Sequence, residues 1–342
     1  MRKLLNTLYV LTPESYLRKD GENVVVEVDG EERFRCPIHN LEGIVTFTYS
    51  GASCGVVMLC AQYGVKISYM TPSGKFVGSF YGPIKGNVLL RRAQYRMADN
   101  PLQSKEIAAC CVAAKVHNQR AVLQRFLRDY PQQEPIHSTF VDAIDTLSAV
   151  TKKLSAVSSC DEVRGIEGDS ARIYFGLFHT LLLNDSFVFV SRVKHPPTDP
   201  INALLSFFYS LLSHEVRSAL EAVGLDPYVG FLHADRPGRH SLALDLMEEL
   251  RAYVVDRFVL TLVNRRQIAP SDFIEQAEQS VMLKEPVRKT LIGLWQKRKR
   301  EVITHPFTRE KMELGLLPYV QAQLFARFVR GDLDGYPPFL MT

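Results

Sequence analysis

The spacing of apolar residues changes period once along the chain. Over the first eighty or so residues they come in short runs: LLNTLYV, SYLRK, VVVEV, EERFRC, GIVTFTY, VKISYM and KFVGSFYG. Short runs bounded by turn residues predict strands. Asp20-Gly21 and Asp29-Gly30 separate three of them, and Asp-Gly tolerates the positive φ that tight hairpins need. One stretch here, SCGVVMLCAQYG (53–64), has helical spacing and stops on a glycine. From about residue 86 apolar residues recur instead at i, i+3, i+4 and i+7, the period of amphipathic helices. NVLLRRAQYRMAD opens this regime and ends at Asn100-Pro101. Helical stretches then dominate: SKEIAACCVAAKVHNQRAVLQRFL, FVDAIDTLSAVTKKLSAV, SARIYFGLFHTLLL, INALLSFFYSLLSHEVRSALEAVG, SLALDLMEELRAYVVDRFVLTLVN, RKTLIGLWQKRKREVI and LLPYVQAQLFARFVRG.

The pattern predicts an α+β chain of two domains: a β-sandwich-like domain over residues 1–84, then an all-α domain over 85–342. A length of 342 residues is enough for two cores. PIKGN (83–87) reads as the linker, because Pro and Gly interrupt both periods there. The strands over 23–36 offer edges that a dimer would cover.

Composition narrows the class without choosing a function. Hydrophobic residues make up 46% and charged residues 23%, ordinary for a soluble globular protein. No apolar run reaches the length of a membrane span, and the first fifteen residues lack a signal-peptide core, so a cytosolic protein without a membrane partner is expected. The six cysteines include no Cys-x-x-Cys pair; Cys36 and His39 have the spacing of half a zinc site, with no second half. Reduced, mostly buried thiols are expected.

Charge adds a direction. The net charge of +4 is mild, but residues 251–342 hold fifteen Lys and Arg against ten Asp and Glu. Lys297-Arg298-Lys299-Arg300 is the densest basic run, with Arg288 and Lys289 near it on the same helical stretch. Such a patch suits phosphates, although most charge runs are solvated helix faces. Trp295, Phe307 and Tyr319 read as core residues rather than stacking platforms. The chain has no Gly-rich phosphate cradle and no Gly-x4-Gly-Lys-Ser/Thr motif, which disfavours a phosphohydrolase of small nucleotides.

The candidate chemistry lies in two segments. In GFLHADRPGRHSLALDLMEELR (230–251), Ser241 reads as the N-cap of a helix whose packed stripe is Leu242, Leu246 and Leu250. Asp245 and Glu248 are three apart and share a face, with Glu249 alongside, so the carboxylates border the core. Acids there need a cation or hydrogen-bond donors. His233 precedes them in the loop, and carboxylates with an imidazole form a ligand set for Mg2+ or Mn2+. In RGIEGDSARIYFG (164–176), Glu167 stands between Gly165 and Gly168, which would allow a close approach. Arg172 and Tyr174 follow, a candidate pair for a phosphate and a stacked base or sugar. Taken singly, each has an ordinary alternative: a structural histidine, a local salt-bridge set of Asp245 and Glu248 with Arg251, and a surface glutamate.

GIEGDSARIYF and GFLHADRPGRHSLALDLMEE closely resemble the motifs of the CRISPR-associated integrase family Cas1 (Cas-one). RKTLIGLWQKRKREVITHPF and LLPYVQAQLFARFVRGDLDGYPPFL resemble its subtype I-C members, and the likeness covers nearly the whole chain. It implies an N-terminal β-sandwich followed by a helical catalytic domain, and a function in inserting short foreign DNA into the CRISPR array. It implies metal ligands at Glu167, His233 and Glu248, a supporting acid at Asp245, and Arg239 near DNA phosphates. It also implies a homodimer, two of which join a dimer of the partner Cas2 (Cas-two) into a heterohexamer on double-stranded and branched DNA. The implied chemistry is transesterification at phosphorus by a 3′ hydroxyl, or hydrolysis when water attacks, with Mg2+ or Mn2+ bound. The alternative from another class is a non-enzymatic DNA-binding scaffold whose acids and histidine form a structural network.

Overall fold

The computed structural model describes residues 7–341 except 13, 42, 49, 72–75, 81, 83–87, 195 and 277–279; the expected linker at 83–87 lies outside the described residues. The chain divides into two compact units, 1–85 with 285–300, and 86–284 with 301–342.

In the first unit, strands β1 (Thr7–Val10), β2 (Tyr16–Asp20), β3 (Asn23–Val28), β4 (Glu31–Pro37), β5 (Gly43–Thr46), β6 (Lys66–Met70) and β7 (Phe76–Phe80) follow the predicted runs. They form a three-stranded antiparallel sheet, β2-β3-β4, and a four-stranded sheet, β1-β5-β6-β7. The first is the meander that the Asp-Gly pairs predict: Asp29 and Gly30 both take positive φ (55° and 78°), as a two-residue hairpin turn requires. The second is mixed, because β1 pairs β5 and β5 pairs β6 in parallel. Parallel neighbours need crossovers. The β2-β3-β4 sheet lies between β1 and β5 in the chain, and helix α1 (Cys54–Tyr63) between β5 and β6. Ser53 caps α1 through Val56 N–H, and Gly64 ends it at φ 70°. One core joins both sheets to this helix: Leu17, Val24 and Val26, then Val10, Ile44 and Ile67, then Val56, Leu59 and Cys60. Strand β4 is an edge, and residues 31–35 of it are exposed.

The second unit is mostly helical. Its helices are α2 (Val88–Asp99), α3 (Pro101–Asp129), α4 (Ile136–Leu154), α5 (Cys160–Gly176), α6 (Pro200–Val223), α7 (Ser241–Leu250) and α8 (Arg257–Asn264), the last two joined by a π-helical segment, Arg251–Asp256. Two short hairpins correct the all-α expectation: β8 (Phe273–Glu275) with β9 (Val281–Leu283), and β10 (Val302–Thr304) with β11 (Lys311–Glu313). Strands of three residues are too short to establish a period of two. Helix α9 (Glu285–Lys299) falls between the hairpins in sequence but groups with the first unit, whereas the sequence pattern placed it with 85–342. Helix α10 (Leu317–Val329) follows. Among the described residues no helix is long and apolar enough to cross a membrane.

Helix α3 is the spine of this unit. Asn100 caps it by accepting Leu102 and Gln103 N–H groups at 3.0 and 3.2 Å, and Pro101 occupies the first turn where no donor is needed. It packs against α4, α5, α7 and the π-helical segment. Lys115, Asn118 and Gln119 are buried along it. Asn118 donates to the carbonyls of Glu249 (2.6 Å) and Phe339 (2.8 Å) and accepts Met341 N–H (2.7 Å). Glu249 accepts Phe339 N–H at 2.7 Å, Gln321 Nε2 at 3.0 Å and the Tyr336 hydroxyl. Residues 336–341 are thereby fastened to α3 and α7 together.

Burial pushes the Glu249 carboxyl up to about 7, although these three donors favour its charged form. A carboxyl raised in the folded state contributes stability that is complete below its unfolded value of 4.5 and is lost as pH rises through 7. Glu249→Gln, a neutral stand-in, should therefore gain in melting temperature relative to the wild type as pH rises from about 5 to 8. A gap between the two melts that stays constant with pH would contradict this.

Candidate active site

The site is assembled by a glycine. Gly230 crosses the start of α7 so closely that a Cβ there would lie 2.7 Å from Ser241 C and Cβ and 2.8 Å from Asp245 Oδ2. Only a residue without a side chain can pass. Ser241 is consequently the first residue of α7 and not its N-cap, which is His240; the Ser241 hydroxyl donates to Ala234 O at 3.3 Å. The crossing turns the following amides toward Asp245. Phe231 and Leu232 N–H donate to Oδ2 at 2.6 and 3.0 Å, and His233 N–H donates to Oδ1 at 3.0 Å. His233 Nδ1 lies 2.6 Å from the same Oδ1. A carboxylate oxygen accepts, so Nδ1 carries a proton toward Asp245, and Nε2 is the ring nitrogen left to face another group.

One turn further on, Glu248 is 3% exposed. Arg251 Nη2 lies 3.0 Å from its Oε1, and Lys115 Nζ lies 2.8 Å from its Oε2. The same Nζ is ion-paired with Oε1 of Glu167 on α5. An ammonium from α3 thus joins carboxylates of α5 and α7. Its contact with Glu248 is a buried ion pair, with side chains 6% and 3% exposed. Burial alone would raise the Glu248 carboxyl; Arg251, Lys115 and His233 outweigh it and hold the group well below the usual carboxylate range. Arg251 opens the π-helical segment and lies over the Tyr209 ring at 4.8 Å from its centroid. Lys194, exposed beside the site, feels the charges of Arg251, Glu248, Lys115 and Glu167.

Glu167 with Glu248, and His233 with Asp245, are therefore two pairs. His233 is close enough to Glu248 for its charge to be felt. Among the described residues no group of three or more His, Cys, Asp or Glu side chains is arranged to hold a metal ion, and the Lys115 ammonium stands between the two glutamates. Glu167 sits within a helix, and Gly165 and Gly168 face open space rather than an approaching backbone. Arg172 is exposed and pairs with Asp169 at 3.1 Å. Tyr174 is fully buried against Phe175 and Phe178, so it cannot stack on a base or sugar. Arg239 is half-buried in the loop before α7.

The basic run on α9 is divided by the helical period. Lys289, Lys297 and Arg300 are exposed, Arg288 and Arg298 half-buried, and Lys299 is only 5% exposed, which removes it from a solvent-facing patch. Trp295 is in the core as expected, Tyr319 is half-buried and Phe307 is half exposed.

Sequence reasoning missed Lys115. A signal was present: Cys111, Lys115, Asn118 and Val122 fall on one helical stripe, and two polar residues on an apolar stripe need partners inside.

The Asp245 geometry makes this residue the anchor of the 230–233 turn. Asp245→Asn sets an amide NH2 against backbone N–H groups that can only donate, and should cost about 1–3 kcal/mol of unfolding free energy in denaturant titration. A variant as stable as the wild type would contradict that role.

Residues 8–297 match the family model described as CRISPR associated protein Cas1. The CRISPR-associated endonuclease Cas1 2 of Rhodospirillum rubrum is 48% identical over 344 residues, spanning 99% of each chain. The CRISPR-associated endonuclease Cas1 1 of Chlorobaculum tepidum is 47% identical over 342 residues, again 99% of each. A CAS1 protein from Thermotoga maritima shares the fold at TM-score 0.82 and 24% identity, over 98% of this chain and 100% of that one. A casposase bound to integration product shares it at 0.82 and 22%, over 96% and 92%. A chain of a Cas6-RT-Cas1–Cas2 complex shares it at 0.83 and 20%, over 99% and 36%. A family match over most of its length, with relatives nearly half identical from end to end, means that this chain belongs to the Cas1 family of CRISPR-associated proteins.

Proposed function

We propose that this Cas1 protein is the DNA integrase and endonuclease of CRISPR adaptation, with its chemistry centred on Glu167, His233 and Glu248. The observation that carries this reading is the junction of half-buried Glu167 and buried Glu248 at one ammonium, next to a histidine whose Nδ1 is bound by Asp245. In the reaction the 3′ hydroxyl oxygen of the incoming DNA bonds to a phosphorus at the repeat edge, and the P–O bond to the leaving 3′ oxygen breaks. Water in place of the hydroxyl gives cleavage.

The donor set suits Mg2+ or Mn2+. Two carboxylates already gather round a cation, and the imidazole, held at Nδ1, would offer Nε2. When bound, such an ion supplies Lewis-acid activation of the attacking oxygen and the phosphoryl group. The chain's own residues prepare the place. Asp245 fixes the tautomer and direction of the His233 ring. Arg251 keeps Glu248 ionised although buried. Exposed Arg172 and half-buried Arg239 offer charge to the DNA backbone in one unit, and Lys289, Lys297 and Arg300, with Arg288 and Arg298 partly covered, do so in the other.

Double-stranded and branched DNA is the substrate class. The working form in this reading is a homodimer using the exposed β4 edge, two of which join a Cas2 dimer in the cytoplasm. The fold likeness to a chain of a Cas1–Cas2 complex supports the partner, and the motifs over 288–340 support subtype I-C. The scaffold alternative has one observation in its favour, the closed ion network of Glu167, Lys115, Glu248 and Arg251.

A strand-transfer assay separates the two. With a labelled 3′-hydroxyl duplex, a repeat-bearing plasmid, Cas2 and Mn2+, Glu167→Ala, His233→Ala and Glu248→Ala should each fall to background while retaining DNA binding in a filter assay. Full activity in all three would leave the scaffold reading standing.

A further inference from the structure

We propose that Lys115 is a built-in rival of the divalent cation: its ammonium occupies the seat between Glu167 and Glu248, and a metal ion enters by exchange with it. The inference rests on reading these carboxylates as ligands of a divalent ion. Three observations carry it. First, Lys115 is the cation that touches both glutamates, which come from different helices, whereas the contact of Arg251 is with Oε1 of Glu248. Its side chain is only 6% exposed, so this is an interior position and not a surface pair. Second, Oε2 of Glu248 is buried, and Nζ lies 2.8 Å from it. A buried carboxylate oxygen faced by an ammonium on a flexible stem is a seat that another cation can take. Third, Lys115 and Arg251 already balance Glu167 and Glu248, so a doubly charged ion added beside them would meet a neutral site. Withdrawal of the ammonium restores the attraction, and its flexible four-carbon stem permits that movement.

The exchange has two consequences. Without metal, the ligand carboxylates stay paired, and the buried Glu248 is not left as an isolated charge. With metal, the affinity is lower than the donors would give by themselves, because each binding event must break the Lys115 pairs. Lys115 is thus a residue that sets metal affinity, distinct from the ligands.

The test is Mn2+ binding to the full chain by calorimetry, with thermal melts with and without Mn2+. Lys115→Met should bind Mn2+ about tenfold more tightly or better than the wild type. Its metal-free melting temperature should fall, and Mn2+ should raise that temperature by more than it does for the wild type. If Lys115→Met fails to fold without metal, Lys115→Gln should give the same direction with a smaller loss. Equal or weaker Mn2+ binding by a folded variant, beside a wild type that binds, overturns the exchange and leaves the proposed function intact. No Mn2+ binding by either protein overturns both.

Discussion

Helix α7 buries three carboxylates within two turns of a leucine-rich helix: Asp245, Glu248 and Glu249 are 0%, 3% and 1% exposed. Leaving one such charge unpaired in the interior costs about 3–5 kcal/mol. The surrounding architecture follows from meeting that cost three separate times. Asp245 is satisfied by the amides of a turn, Glu248 by cations from α3 and the π-helical segment, and Glu249 by residues 336–341 with Gln321. Each compensation fixes a different part of the unit to the same helix. The helix that carries the proposed site is therefore also the one on which these parts of the unit are fastened.

The division of labour among these acids also explains their unequal character. Glu248 stays charged because two cations face it, while Glu249, one residue on, has only neutral donors and is pushed up by burial. Adjacent residues on a helix point about 100° apart, so they meet unrelated surroundings. Asp245 acts through its neighbours, as the group that turns the His233 ring. The glycine at 230 is the small structural condition for this, since any side chain there would strike α7.

Much of this was legible in sequence. The change of apolar period located the β-to-α transition, and the Asp-Gly pairs located the β2-β3-β4 turns. The Asp245–Glu248 spacing placed acids at the edge of the core. What stayed hidden depended on long-range contact. The parallel pairing of β1, β5 and β6 is invisible to a period of two. Tyr174, promising beside Arg172, lies on the inward side of α5, and Lys299 turns inward within a run of four cations. Lys115 sits 52 residues from Glu167, and its partners appear only when α3, α5 and α7 are packed. The Cas1 resemblance implied that 167, 233 and 248 converge; the structure joins Glu167 to Glu248 through Lys115 and pairs His233 with Asp245.

The central claim, that His233 and the two glutamates surround one divalent ion, is most directly tested by pulsed electron paramagnetic resonance of the Mn2+-loaded protein. An imidazole nitrogen bound to Mn2+ modulates the electron-spin echo. The account predicts such a nitrogen signal in the wild type and its loss in His233→Gln at saturating Mn2+. A nitrogen signal unchanged by that substitution, or none in the wild type, would contradict it.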